Sequence, residues 1–428
     1  VAATSLPSTS DDSERAAGTL RPMTAVRISR WSRFFVTAGA VSFVLWQLAL
    51  LAGLPRRVGV VLGLYGFVLH VVFGKAYSLV PTYFDRTLRF SLAPAIHFPL
   101  TVTGTVCLAV AAIPETHPLF APVGGVLWAA GVAVFLGTIG STIRDNPTGR
   151  ETATGEANAD RRGVDRVANL FVPIALAYLA VGTYGTLALS TPLPVLVDGY
   201  PPRVTHLLAA GSVALLVFAI GFRLLPRFLV AAPPRPLVVL VLGTGAVGPA
   251  LLAVSLPNGP WFRVGAVAEA TAVVGFAVAY LVLFARSDRS RIGFYGVLAG
   301  VVAGIAGVGL GLRFAIGGTA SALVAVHLRL NVAGFLGLTI VGITYQFYPP
   351  AVGTVPGVGD RTALASIGFV SAGLALEAVG LLTGTGLTLL GRSSVGVGAC
   401  LFAGIVVALF YERHWQPTLQ TLLSSGER

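Results

Sequence analysis

The stretch from His327 to Pro349 reads HLRLNVAGFLGLTIVGITYQFYP, and it decides the fold. It is 23 residues long and carries one formal charge, Arg329. About 20 apolar residues wound as a helix cross a bilayer, so the stretch reads as a membrane span closed by a proline. The whole chain shares its character. Hydrophobic residues make up 55% of the 428 and charged residues 11%, with a mean hydropathy of +0.83. Soluble domains carry about 25% charged residues. The composition excludes a soluble enzyme, a disordered protein and a secreted disulfide scaffold, and leaves an all-α polytopic membrane protein whose first partner is the lipid bilayer.

Twelve apolar runs are long enough to span: 34–54, 58–80, 93–113, 119–142, 168–190, 203–225, 236–256, 262–285, 293–316, 320–347, 362–385 and 387–411. Orientation follows from arginine, since positively charged loops stay in the cytoplasm. With the N-terminus inside, the inner segments hold 21 arginines and the outer ends six (Arg56, Arg57, Arg203, Arg263, Arg313 and Arg392). The expectation is a multi-pass cell-membrane protein with both termini cytoplasmic. A net charge of +12 spread over short loops is a topology signal, not a nucleic-acid surface. Residues 1–33 are expected to be a disordered basic tail, 34–412 the transmembrane domain and 413–428 a C-terminal tail. Val1 reads as a non-standard start, with Met23, the one methionine, as the alternative. The tail lacks the apolar core of a signal peptide. Residues 143–167 form the longest loop and the best candidate linker. The two cysteines, Cys107 and Cys400, both lie in apolar runs and make no disulfide framework.

Working outward from His327 uncovers a repeat. The tenth run holds His327, Gly342, Tyr345 and Pro349, the sixth His206, Gly221 and Pro226, and the second Gly59, Gly74, Tyr77 and Pro81. The first two residues stand fifteen apart in all three. The pattern implies about twelve transmembrane helices in three quasi-repeats of four, over roughly 34–144, 168–286 and 293–413. The ninth run carries Gly296, Gly300, Gly304, Gly307 and Gly311, a face of small residues that lets helix backbones approach closely.

Few residues in such a chain can carry chemistry. His206 and His327 begin equivalent helices and could converge on one metal site, since imidazole suits iron, copper and zinc. The alternative is a pair of hydrogen-bonded helix-end histidines. Arg329 lies at membrane depth and needs a partner; Glu269 and Glu377 are the candidates. That pair is structural, or Arg329 clamps an anion or a haem propionate while the carboxylates relay protons. His70 and His97 lie inside spans nearer the inner face, and Lys75 lies near the inner end of the second span, where it could snorkel to the surface; with Arg329, Glu269 and Glu377 these three are the candidates for buried charges or a proton path. His117 and His414 read as solvated. No HExxH, phosphate-binding loop or CxxCH motif is present.

In these residues the chain resembles the catalytic subunit of haem-copper oxidases, and it is similar to the related NnrS-type membrane proteins linked to nitric oxide stress. The resemblance covers nearly the whole chain in architecture, but in specific residues mainly the second, sixth and tenth helices. It implies a His-x-His in the tenth helix, of which His327 matches the high-spin haem ligand while Arg329 replaces the low-spin one. The other low-spin ligand stands where this chain has Gly59. His206 matches one copper ligand, and the His-His pair of the seventh helix is absent between Arg235 and Leu256. His70 lies eleven residues deeper than Gly59, about 16 Å along a helix, too far to replace it.

The resemblance therefore implies an integral membrane protein that binds at most one haem through His327, with His206 across the pocket and Arg329 near a propionate. It implies no copper and no working terminal oxidase, and a role in binding a diatomic gas (nitric oxide or oxygen) or in relaying electrons. Oxidase chemistry would require a partner subunit to supply the missing histidines. The competing expectation is a cofactor-free transport, assembly or scaffold protein that uses Arg329, Glu269 and Glu377 as buried charges or as a proton or anion path.

Overall fold

The structure, a computed structural model, describes residues 9–425, with side chains over 26–412. Among these residues every regular element is helical. Twelve helices are long and apolar enough to cross a membrane. We number them span 1 (Val26–Leu51), span 2 (Arg56–Tyr83), span 3 (Ala93–Ala111), span 4 (Phe120–Ile143), span 5 (Glu156–Ala188), span 6 (Pro201–Leu229), span 7 (Arg235–Ser255), span 8 (Pro260–Ala285), span 9 (Ile292–Gly317), span 10 (Ser321–Val352), span 11 (Asp360–Thr383) and span 12 (Leu387–Glu412). Their number and order are those expected from hydropathy, and the protein is an all-α integral membrane protein. The number is even, so both ends of the bundle's chain lie on one side; the opposite side is called the far side below.

The helix that holds span 1 starts at Thr9, ahead of the first apolar run. Glu14, Ala16, Ala17, Leu20 and Arg21 are good helix formers, and they extend a helix already nucleated in span 1. Residues 413–425 likewise continue the helix of span 12. The side chains of Arg413 and His414 lie outside the described residues, as does the stretch 1–8.

Spans 2, 6 and 10 stand apart. In their apolar windows 78%, 78% and 67% of residues are buried, against 39–44% in the other nine. Each contains a π-helical segment, Val61–Leu69, Leu207–Ala214 and Leu330–Leu338. These segments touch one another at the centre of the bundle, and each begins within three residues of Gly59, His206 or His327. A wide turn of this kind is rare and tends to occur at functional positions.

The other helices surround this centre in a threefold pattern. Spans 3 and 4, 7 and 8, and 11 and 12 pair as tight hairpins, and spans 1, 5 and 9 pack on spans 2, 6 and 10. Span 4 meets span 5, span 8 meets span 9, and span 12 returns to span 1, closing a ring. The glycine face of span 9 lies along span 10. A Cβ on Gly296 would fall 2.8 Å from the Gly342 Cα, and one on Gly300 would fall 3.0 Å from the Thr339 nitrogen. At the far end of this face, a Cβ on Gly311 would sit 3.4 Å from the His327 ring.

The connection between spans 4 and 5, expected as a linker, is folded onto the bundle. Asn146 donates to the carbonyls of Phe84 and Glu151, and Asn169 of span 5 donates to those of Tyr83 and Gly149. Arg223 of span 6 donates to the Tyr83 carbonyl at 2.6 Å and the Thr152 carbonyl at 2.7 Å.

Candidate functional site

The two histidines of the repeat do converge. The rings of His206 and His327 stand 6.3 Å apart, centre to centre, with planes 24° apart. Backbone carbonyls orient both. His206 Nδ1 donates to Pro202 at 2.8 Å, and His327 Nδ1 donates to Gly307 at 2.9 Å. The Asn331 amide nitrogen lies 3.3 Å from the same His327 Nδ1 and donates to the His327 carbonyl at 2.8 Å. A carbonyl accepts only, so each Nδ1 carries the proton and each Nε2 keeps its lone pair. That is the tautomer a metal ligand requires.

Both rings line one cavity of about 260 Å³ on the far half of the bundle. Its walls come from spans 2, 6, 7, 8, 9 and 10, and small residues at Ala209, Ala210, Ala266 and Gly311 keep it open. Glu269 is the one acidic side chain on its wall, and its Oε2 is shielded and without a hydrogen-bond partner. Arg56 and Tyr200 stand at the mouth. Beside it, the guanidinium of Arg203 holds the Asp198 carboxylate through bonds of 2.7 and 2.8 Å. These bonds keep that carboxyl below the usual carboxylate range. Among the described residues, no group of three or more His, Cys, Asp or Glu side chains gathers at metal-binding range.

Arg329 does not line this cavity. Two residues along a helix is about 200° of rotation, which places Arg329 on another face from His327. Its Nε donates to Glu377 Oε2 at 2.8 Å and its Nη2 to Gln47 Oε1 at 2.9 Å. The guanidinium lies 4.6 Å from the ring of Trp46. Of the two candidate carboxylates, Glu377 is thus the partner. Arg392 shares it, with Nε 3.2 Å from Glu377 Oε1. Trp46 also fills the space beside Gly59, where a Cβ on Gly59 would fall 2.8 Å from the Trp46 Nε1. A Cβ on Gly63 would fall 2.8 Å from the same ring. The residues between Gly59 and Arg329 therefore do not fit a second haem.

His70 and His97 form a separate, closed cluster with Phe35, Phe73, Tyr77 and Trp128. His70 Nδ1 donates to the Tyr65 carbonyl at 2.7 Å, and the Tyr77 hydroxyl bonds His97 Nδ1 at 3.1 Å. Both Nε2 atoms are buried without a protein partner. Lys75 donates to the Tyr348 hydroxyl at 2.8 Å and lies over the rings of Phe347 and Tyr348. Spans 2 and 10 meet there through a cation–π contact instead of a side chain directed to the surface.

Trp46, Gln47, Arg392 and Asn331 were not expected from the sequence. A signal existed for Trp46, because Gly59 and Gly63 are four apart on one helix face and together make a groove. Arg392 counted only toward topology. Compared with known families and with curated proteins, the chain matches no family model and no curated sequence.

Proposed function

We propose that this membrane protein binds one haem in the cavity between spans 6 and 10. His327 would hold its iron, with His206 across the pocket. The observation that carries the reading is the pair of imidazoles on one cavity, each with its Nε2 lone pair preserved by a carbonyl on Nδ1. Two imidazole nitrogens on one metal, each at about 2.0–2.1 Å, put the ring centres roughly 6 Å apart, and the rings stand 6.3 Å apart. Protein-only zinc and copper sites use three or four ligands. Two suffice for a haem, whose ring supplies the rest. When bound, the haem supplies a redox-active iron that takes a diatomic gas or passes electrons.

This chain's own residues orient and shelter that iron. The Gly307 carbonyl fixes the His327 ring, that of Pro202 fixes His206, and the apolar walls limit water. Glu269 is the group on the wall able to hold a proton. With Trp46 and the Arg329 pair in the other candidate position, there is no second haem to deliver electrons, and oxygen reduction is not the proposed activity.

The test is a reduced-minus-oxidised absorbance spectrum with haem quantitation on wild type, His327→Ala and His206→Ala. About one haem per chain is expected in wild type, lost in His327→Ala. A shift of the reduced spectrum with carbon monoxide in wild type assigns gas binding, and its absence until His206 is removed assigns electron relay. Wild type without haem after haem-replete expression sinks the proposal. The cofactor-free reading would then stand on Glu269, the acidic side chain on the cavity wall, as a solute or ion path.

A further inference from the structure

The charges around Arg329 do not balance. Two guanidiniums, Arg329 and Arg392, share one carboxylate, Glu377, at 2.8 and 3.2 Å. Arg329 is 5% exposed and Glu377 1%. A guanidinium has five N–H donors. Arg329 spends Nε on Glu377 and Nη2 on Gln47, and its Nη1 is buried with no acceptor. None of the neighbouring groups is placed to serve it. Both Glu377 oxygens are taken by the two arginines, Gln47 uses its oxygen on Nη2 and its amide on the Phe43 carbonyl at 3.2 Å, and Trp46 offers only a ring face. Arg392 Nη1 has its own acceptor, the Leu50 carbonyl.

We propose that a small monovalent anion, of halide size, binds at Arg329 Nη1 and completes this cluster. A water would satisfy the hydrogen bond but not the excess positive charge, which solvent screens only in part, since the Arg392 side chain is 26% exposed. An anion satisfies both. Nη1 is shielded from solvent, so a small ion is the occupant proposed and not a phosphate or a carboxylate lipid headgroup. The exposed Arg56 and Arg57 on the same side make the approach positive and raise the local anion concentration. The anion site stands independently of the haem, which lies on the other face of span 10.

The experiment measures thermal unfolding of the full chain in detergent, with sodium chloride or bromide exchanged against sodium gluconate at constant ionic strength. A ligand that binds only the folded state raises the midpoint with the logarithm of its concentration once that exceeds Kd. Wild type should gain about 3 °C at chloride about 100 times Kd. Arg392→Gln leaves a neutral pair and should lose the gain. Glu377→Gln leaves two cations, unfolds at a lower temperature and should gain more than wild type. Arg56→Gln and Arg57→Gln should keep a chloride-dependent gain, moved to higher chloride. Equal midpoints in chloride and gluconate for wild type overturn the proposal, and so does a full gain in Arg392→Gln. Should Arg392→Gln fail to fold, chloride NMR on wild type decides. Excess chloride linewidth that bromide removes and gluconate does not supports the site, and a linewidth equal to that of empty micelles overturns it.

Discussion

At the scale of single residues, the arginine at membrane depth shows what a sequence can and cannot specify. Its need for a carboxylate follows from the insertion cost of a charge. Which carboxylate serves it depends on rotation between helices, which no local pattern encodes: Glu269 and Glu377 are equal on paper, and only the fold brings Glu377 to 2.8 Å. The third member, Arg392, changes the expected genetics. Arg329→Glu or Glu377→Arg alone leaves buried like charges and should cost about 3–5 kcal/mol, read as lost expression and a lower unfolding midpoint. Exchanging both should restore stability only in part, because the guanidinium introduced by Glu377→Arg faces Arg392. Adding Arg392→Gln to the exchange should recover most of the rest. Full recovery by the double exchange would show that Arg392 does not share the site. The Trp46 groove gives a second test. Gly63→Ala places a methyl 2.8 Å from that ring and should cost about 1–3 kcal/mol by overpacking, with Trp46→Leu relieving it in the double variant.

At the scale of elements, the twelve spans were legible because hydropathy reports solvent and needs no partner. Their ends agree with the structure to within about five residues, except where spans 1 and 5 start early, at Val26 and Glu156. The shared fifteen-residue spacing in spans 2, 6 and 10 marked the three central helices. Their π-helical segments were not legible: runs such as Val61–Leu69 contain no proline and differ little from neighbouring spans. The wide turn arises from packing at the centre, where three helices touch. The glycine face of span 9 reads in sequence as packing, and it carries more than that, since it ends against His327. Gly296→Val should push span 10 away at Gly342, destabilise the protein by about 1–3 kcal/mol, and lower haem occupancy without touching either histidine. Unchanged occupancy at a lowered unfolding midpoint would show that the face sets stability but not the position of His327.

At the scale of the molecule, helical hairpins packed in a ring need something to fix their mutual register, and the side of the termini has it. Arg223, 3% exposed, reaches from span 6 to the Tyr83 carbonyl at the end of span 2, to the Thr152 carbonyl in the connection between spans 4 and 5, and to Asn169 of span 5. Asp165, 1% exposed, neutralises it at 3.4 Å and binds Arg227 at 2.6 Å. One buried carboxylate thus holds the first and second units together and pins the connection that the sequence presented as a charged linker. A charge count along the chain could not tell these arginines from the topology-setting ones, because both lie at the same ends of spans. Asp165→Asn leaves Arg223 buried without a counter-charge and should cost about 3–5 kcal/mol. The loss should be local first, at the connection. Arg144 and Arg150 are trypsin sites in it, and Arg161 and Arg162 stand at the start of span 5, so limited proteolysis should cut Asp165→Asn roughly tenfold faster than wild type, as expected for a local opening made more favourable by about 1.4 kcal/mol. Asp165→Asn with Arg223→Gln removes the stranded charge and should recover part of the protection. If the single variant is cut no faster than wild type, the carboxylate is not what pins the connection, and the backbone bonds of Asn146 and Asn169 must hold it alone.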